Sequence, residues 1–192
     1  MRIDHVIFAA ADLDAAAARI ESEYGLGSEP GGRHDGMGTH NRIVPLGGGF
    51  LELLAVADAE EAASSPFGRA LSARIDSVGD GPMGWVAAVD EIEPVARLLG
   101  TEITTIGRQG MTARLTGLAE ALAEPYLPFF IQRDPGIPDP GQAGAGGGIE
   151  WVEVSGDARK LGDWLGGASL PVRVVEGEPG VVAVGVGGQT IR

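Results

Sequence analysis

IDHVIFAAADLDAAAARI, residues 3–20, passes without a break from a β-branched and aromatic run into an alanine-rich one. Residues 3 to 9 predict a strand, and Asp12-Leu13-Asp14 supply an N-cap and an acidic first turn for a helix that should end at Gly25. Working outward, the chain is turn-rich from Gly27 to Gly38. It then reads as a strand from Arg42 to Leu46, a Gly47-Gly48-Gly49 turn, and a second strand from Phe50 to Val56. The order is one strand, one helix, then two or three strands.

That order returns twice. Trp85 to Val89 predicts a strand, Pro94 suits the first position of a short helix ending at Gly100, and Ile103–Ile106, Thr112–Thr116 and Phe129–Gln132 supply further strands. A weaker third copy runs from Ile149–Val154 through a helix capped by Asp157 and ending at Gly166-Gly167, to Val172–Val175 and Val181–Val186. The expected class is therefore α+β, built of repeated βαβββ modules. The expected division is a first module at 1–58, a helical connector at 59–83 and a second module at 84–133. A Pro/Gly-rich mobile loop at 134–148 and a third, partial module at 149–192 complete it. In the connector, Phe67, Leu71 and Ile75 fall every fourth residue, on one face of a helix.

Composition narrows the function classes. The 192 residues carry 44% hydrophobic and 21% charged side chains, which is globular rather than disordered, and 32 glycines with 12 prolines favour many short strands. A formal net charge of −13, with 14 scattered Lys and Arg, argues against nucleic acid and anionic membranes. Without cysteine there is no disulfide, thiolate metal site or Cys nucleophile, and a cytoplasmic location is the expectation. The opening residues do not read as a signal peptide, and no apolar run reaches the roughly 20 residues that span a bilayer. P-loop, G-x-S-x-G, H-E-x-x-H and dinucleotide-fingerprint patterns are lacking.

Two residues stand out against their surroundings. His5 lies mid-strand, and alternation places it on the face of Ile3 and Ile7, as a core histidine or a functional one. Glu52, within Phe50-Leu51-Glu52-Leu53-Leu54, lies on a strand apolar on both faces, where a carboxylate must be paired, protonated or metal-bound. Pairing with Arg42 or Arg114, or a wet edge strand, are the other readings. His34 reads as a solvated loop histidine, whereas His40, at a strand entrance, is balanced between loop and ligand. Neutral imidazole and carboxylate together are ligands for zinc, iron, nickel and manganese.

The segments IDHVIFAAADLDAAAARI and GTHNRIVPLGGGFLELLA, with PYLPFFIQRD at 125–134, resemble the glyoxalase-like domains of the vicinal oxygen chelate superfamily, from residue 2 to about 133. The resemblance implies paired modules in a half-open barrel of the glyoxalase/bleomycin resistance/dihydroxybiphenyl dioxygenase type, with a divalent metal held by the first and last strands of each module. Carried over by position, His5 and Glu52 are metal ligands; two ligands do not close a site, so His40, Gln132 or waters would complete it, and Glu52 serves as ligand or catalytic base. The second module departs from the pattern: Trp85 stands where its first ligand would fall, and Gln132 or Ile131 where a Glu is expected. Trp85, Gln132 and Arg42 are then expected to contact a small-molecule substrate. Trp151 and Trp164 read as core.

Two functions follow as expectations. One is a metal-dependent lyase, isomerase or dioxygenase acting on a small oxygen-rich metabolite with Zn, Ni, Fe or Mn. The other is a non-catalytic binding or resistance protein using the same barrel pocket, with a degenerate, dimer-forming protein as a third class. Modules of this superfamily pair within or between chains, so a homodimer is a further expectation.

Overall fold

A computed structural model describes residues 1–108, 111–134, 136–137, 139–144 and 146–192. Strand β1 (Arg2–Ala9) leads into helix α1 (Leu13–Tyr24), where the Asp12 side chain accepts from Ala15 N at 2.8 Å. Gly25, at φ 70°, closes the helix by donating to Glu21 O. Strands β2 (Glu29–His34), β3 (Thr39–Pro45) and β4 (Phe50–Val56) follow. The connector is two helices, α2 (Ala59–Ser64) and α3 (Pro66–Val78), split where Ser65 Oγ accepts from Gly68 N and Pro66 opens the second.

The next unit contains β5 (Gly81–Ala88), α4 (Ile92–Leu99), β6 (Ile103–Arg108), β7 (Met111–Thr116), α5 (Leu118–Ala123) and β8 (Phe129–Arg133). Pro94 falls inside α4 rather than at its first position. The last part holds β9 (Ile149–Ser155), α6 (Ala158–Trp164), β10 (Val172–Val175), β11 (Gly180–Val186) and β12 (Gln189–Ile191).

Eight strands form one open, curled sheet in the order β2-β3-β4-β1-β5-β8-β7-β6, a half-barrel. In each half the first strand pairs in parallel with the last, β1 with β4 and β5 with β8, and the halves meet where β1 and β5 run antiparallel. The third segment keeps the strand and helix order but pairs differently. In its four-stranded sheet, β10-β9-β11-β12, the first strand takes the strand after the helix as its parallel partner.

The curled sheet has two unlike faces. Val6, Phe8, Leu51, Leu53, Trp85 and Phe130 turn to the main core, where α1, α6 and the second sheet cover them. On the other face Ile7, Leu54, Val86, Phe129 and Ile131 meet Phe67, Leu71 and Ile75, the α3 stripe foreseen from their spacing.

Strand β2 was hidden by its sequence, because Pro30-Gly31-Gly32 reads as a turn. It is an edge strand whose register shifts between Pro30 and Arg33, and Gly32 N donates to Asn41 Oδ1 at 2.7 Å. The described part of the glycine-rich loop is tied to the 47–49 turn. Gly47 N donates to Gly141 O and Ala143 O at 2.8 and 3.1 Å. The backbones approach so closely that a Cβ on Gly141 would lie 2.3 Å from Gly49 O, and one on Gly144 2.1 Å from Pro45 O. Among the described residues no helix is long and apolar enough to cross a membrane.

Candidate functional site

Parallel pairing of β1 with β4 sets His5 beside Phe50 and Ile7 beside Glu52. His5 Nε2 and Glu52 Oε2 lie 3.5 Å apart, and the two residues are only 6% and 8% exposed. Phe50 stacks under the imidazole, with ring centres 4.4 Å apart and planes 13° from parallel, and Phe129 meets it edge-on at 6.5 Å.

The strand does not alternate as expected at this point. The register against β5 steps from Ile3–Ala87 to His5–Val86, so Asp4 is an extra residue on β1. Ile3 consequently joins Val6 and Phe8 in the main core and does not share a face with His5. Asp4, 0% exposed, accepts from His5 Nδ1 at 2.7 Å and from Arg133 Nη2 and Nε at 2.5 and 3.4 Å. Sequence reasoning passed over both Asp4 and Arg133. An acid beside a histidine in an apolar strand was the available signal for Asp4, whereas Arg133, just after Phe-Phe-Ile-Gln, gave none.

Glu52 is held from its other side by Asn41 Nδ2, which donates to Oε1. His34 completes the cluster: its Nε2 faces Glu52 Oε1 at 3.6 Å and its Nδ1 meets Thr39 Oγ1 at 3.0 Å. The loop histidine thus faces the carboxylate, and His40 does not. On β3, Asn41 turns toward Glu52, so its neighbours His40 and Arg42 turn to the opposite face. There they line a cleft of about 570 Å³ with Asp12, Asp14 and Arg33, and Arg42 bonds Ser28 Oγ at 3.0 Å and Asp14 Oδ1 at 3.3 Å.

The other expected contacts also fall elsewhere. Trp85 is fully buried in the main core and donates its indole N–H to Tyr126 O at 2.9 Å. Gln132 Oε1 accepts from Ile92 N at 3.2 Å and Arg114 Nη1 at 3.3 Å, which fastens the start of α4. Both miss the site for one reason: alternation along β5 and β8 gives the inner face to their neighbours Val86 and Ile131. Arg114 pairs with Glu93 at 2.7 Å, not with Glu52.

Charge in the site is self-balancing. Burial opposes ionisation of Glu52, but the His5 imidazole, then His34 and Asn41, outweigh it and bring its carboxyl down to about 2. Burial likewise opposes charge on His5, while the Asp4 and Glu52 carboxylates raise it above its ordinary 6.5. Asp4 is held well below the carboxylate range by His5 and Arg133, against its burial.

The donor types suit a first-row divalent ion, since two imidazoles turn Nε2 toward one carboxylate. Their convergence does not: among the described residues no group of three or more His, Cys, Asp or Glu side chains is arranged to hold a metal ion. The register explains the shortage. Val86 pairs with Phe129 as His5 pairs with Phe50, and Ala88 with Ile131 as Ile7 with Glu52, so the second half offers hydrocarbon at both matching positions. The donors present do not close a metal site.

A half-barrel of two strand–helix–strand units around inward polar groups defines a protein of the vicinal oxygen chelate type. The glyoxalase-like domain family model matches residues 3–165, and the chain belongs to that family. A hypothetical protein from Staphylococcus aureus is similar in structure at 17% identity, with 93% of this chain and 87% of that chain covered and a TM-score of 0.69. A methylmalonyl-CoA epimerase in complex with methylmalonyl-CoA and NH4+ is similar at 19% identity, covering 70% and 95% of the chains, with a TM-score of 0.54. The methylmalonyl-CoA epimerase from Mycobacterium tuberculosis matches at 19% identity over 71% and 89%, with a TM-score of 0.52. Comparison with curated proteins finds no match. At these identities the structural likeness shows the fold alone.

Proposed function

We propose that this chain is a glyoxalase-like enzyme that moves a proton on a small oxygen-rich metabolite, a lyase or isomerase with Glu52 as its base. The juxtaposition of His5 and Glu52 on the inner face of the sheet carries the reading. A buried ion pair is a poor way to stabilise a protein, because desolvation consumes the attraction, so its presence calls for a use. Glu52 is ionised at neutral pH and able to accept a proton from a carbon beside a carbonyl. A carboxylate of so low a pKa is a weak base alone. The protonated imidazole beside it offsets this by passing its Nε2 proton to the oxygen where negative charge develops, giving the enol as Glu52 takes the proton from carbon, so the pair stays neutral throughout. Asp4 fixes the direction of His5 Nε2, and Asn41 that of the carboxylate.

Epimerase is the name carried by two of the similar structures, and inversion of a carbon centre by removing and returning a proton is chemistry of this kind. The dioxygenase form of the expectation needs a redox-active metal and draws no support from the donor set. The binding-protein form of the expectation loses Trp85 as a contact for a small molecule, since that ring lies in the core.

NMR in D2O with a panel of 2-oxo acids, hydroxycarbonyls and acyl thioesters tests the reading. Wild type should place deuterium on the carbon beside the carbonyl of one class, and Glu52→Gln should slow this by about 100-fold or more. Elemental analysis should find far less than one metal per chain. Exchange indifferent to Glu52→Gln, or one equivalent of metal lost on His5→Ala, would overturn it.

A further inference from the structure

What the second half contributes to the site is a cation. Arg133 lies two residues beyond Ile131 on β8, on the same inner face, and its guanidinium reaches across the junction of the halves to the buried Asp4. Its Cζ stands 5.9 Å from the centre of Phe50, the ring that stacks on His5. The side chain is 22% exposed, so it spans the distance from the closed pair to solvent. Nη2 and Nε are engaged by Asp4, whereas Nη1 makes no hydrogen bond among the described residues. Arg2, 53% exposed, approaches the same carboxylate at 3.6 Å and also bonds Asp139 at 2.7 Å. Two guanidiniums thus stand at the edge of a site flanked by the Phe50 and Phe129 rings.

We infer that the metabolite is an anion, a small carboxylate-bearing compound, and that Arg133 captures its carboxylate at the mouth of the His5–Glu52 site. A planar guanidinium fork matches a carboxylate through paired N–H donors, and its open edge is available without disturbing Asp4. The acidic surface does not forbid this, because charges further than about 10 Å away are screened at 0.1 M salt, while a contact pair at the rim is not. The inference rests on the reading of His5 and Glu52 as the reactive pair, but its test is separate from that reading.

Malonate serves as the probe, titrated by calorimetry into chelator-treated full-length protein. Binding should survive chelation, fall at least about ten-fold in Arg133→Gln, and fall less in Arg133→Lys, which keeps the charge and loses the fork. Asp4→Asn, which frees the guanidinium from its internal partner, should tighten binding, a gain that a misfolded variant cannot produce. Glu52→Gln should bind malonate as well as wild type or better. Binding unchanged in Arg133→Gln, absent in wild type, or dependent on added zinc or manganese would overturn the inference. Malonate binding that follows Arg133 with no deuterium exchange on any of the panel would sink the proposed reaction and leave the anion site standing.

Discussion

Val86 stands to Phe129 as His5 stands to Phe50, and Ile131 occupies the place that Glu52 has in the first half. The same backbone plan therefore carries an ion pair on one side of the β1–β5 seam and plain hydrocarbon on the other. The hydrocarbon needs nothing further: Val86 and Ile131 pack with Ala113, Leu115 and the α3 stripe. The charged pair needs Asp4, Asn41, His34 and Arg133 around it, drawn from β1, β2, β3 and β8. Buried charge is tolerable only with such support. The asymmetry teaches that one half is held by hydrocarbon alone, while the other must support buried charge.

The largest expected break in the comparison is at the matched positions themselves. His5→Ala leaves two buried carboxylates without their shared partner and should cost about 3–5 kcal/mol, against about 2 kcal/mol for Val86→Ala, both read from urea midpoints. Equal costs would mean that the pair is not held as an ion pair.

A second, smaller effect follows from pH. Glu52 falls from an ordinary 4.5 to about 2 on folding, so its contribution is complete above 4.5 and is lost as pH drops toward 2. His5 rises above 6.5, so its contribution is complete below 6.5 and is lost as pH climbs through the raised value. The stabilising effect of the pair should therefore peak between pH 4.5 and 6.5. The double substitution His5→Val with Glu52→Ile copies the second half and should flatten that part of the profile, fold as well as wild type or better, and lose proton exchange. A profile unchanged by the double substitution would place the pH dependence elsewhere.

The smallest effect belongs to Gln132, whose loss frees one helix-start N–H. Gln132→Ala should cost about 1 kcal/mol and leave malonate binding and proton exchange untouched.

Much of the frame was legible because its causes are local. The Asp12 and Asp157 caps, the Gly25 stop, the apolar β1 and β4 and the four-residue stripe on α3 each depend on neighbours within a turn or a pleat. Local reasoning also singled out His5 and Glu52, since a polar group in an apolar strand is conspicuous wherever the strand goes. It failed for β2, where Pro and Gly are accepted at a sheet edge, and for the facing of single side chains in the second half.

By itself the sequence determined most of the strand and helix succession, β2 and α5 excepted, and the two residues whose burial demands a partner. Only the tertiary structure decided that those partners are each other, that His34 rather than His40 faces Glu52, and that Asp4 and Arg133 close the circle. Propensity and periodicity act over a few residues. The face on which a side chain emerges depends on register and bulges, and these are set by pairing between strands far apart in the chain.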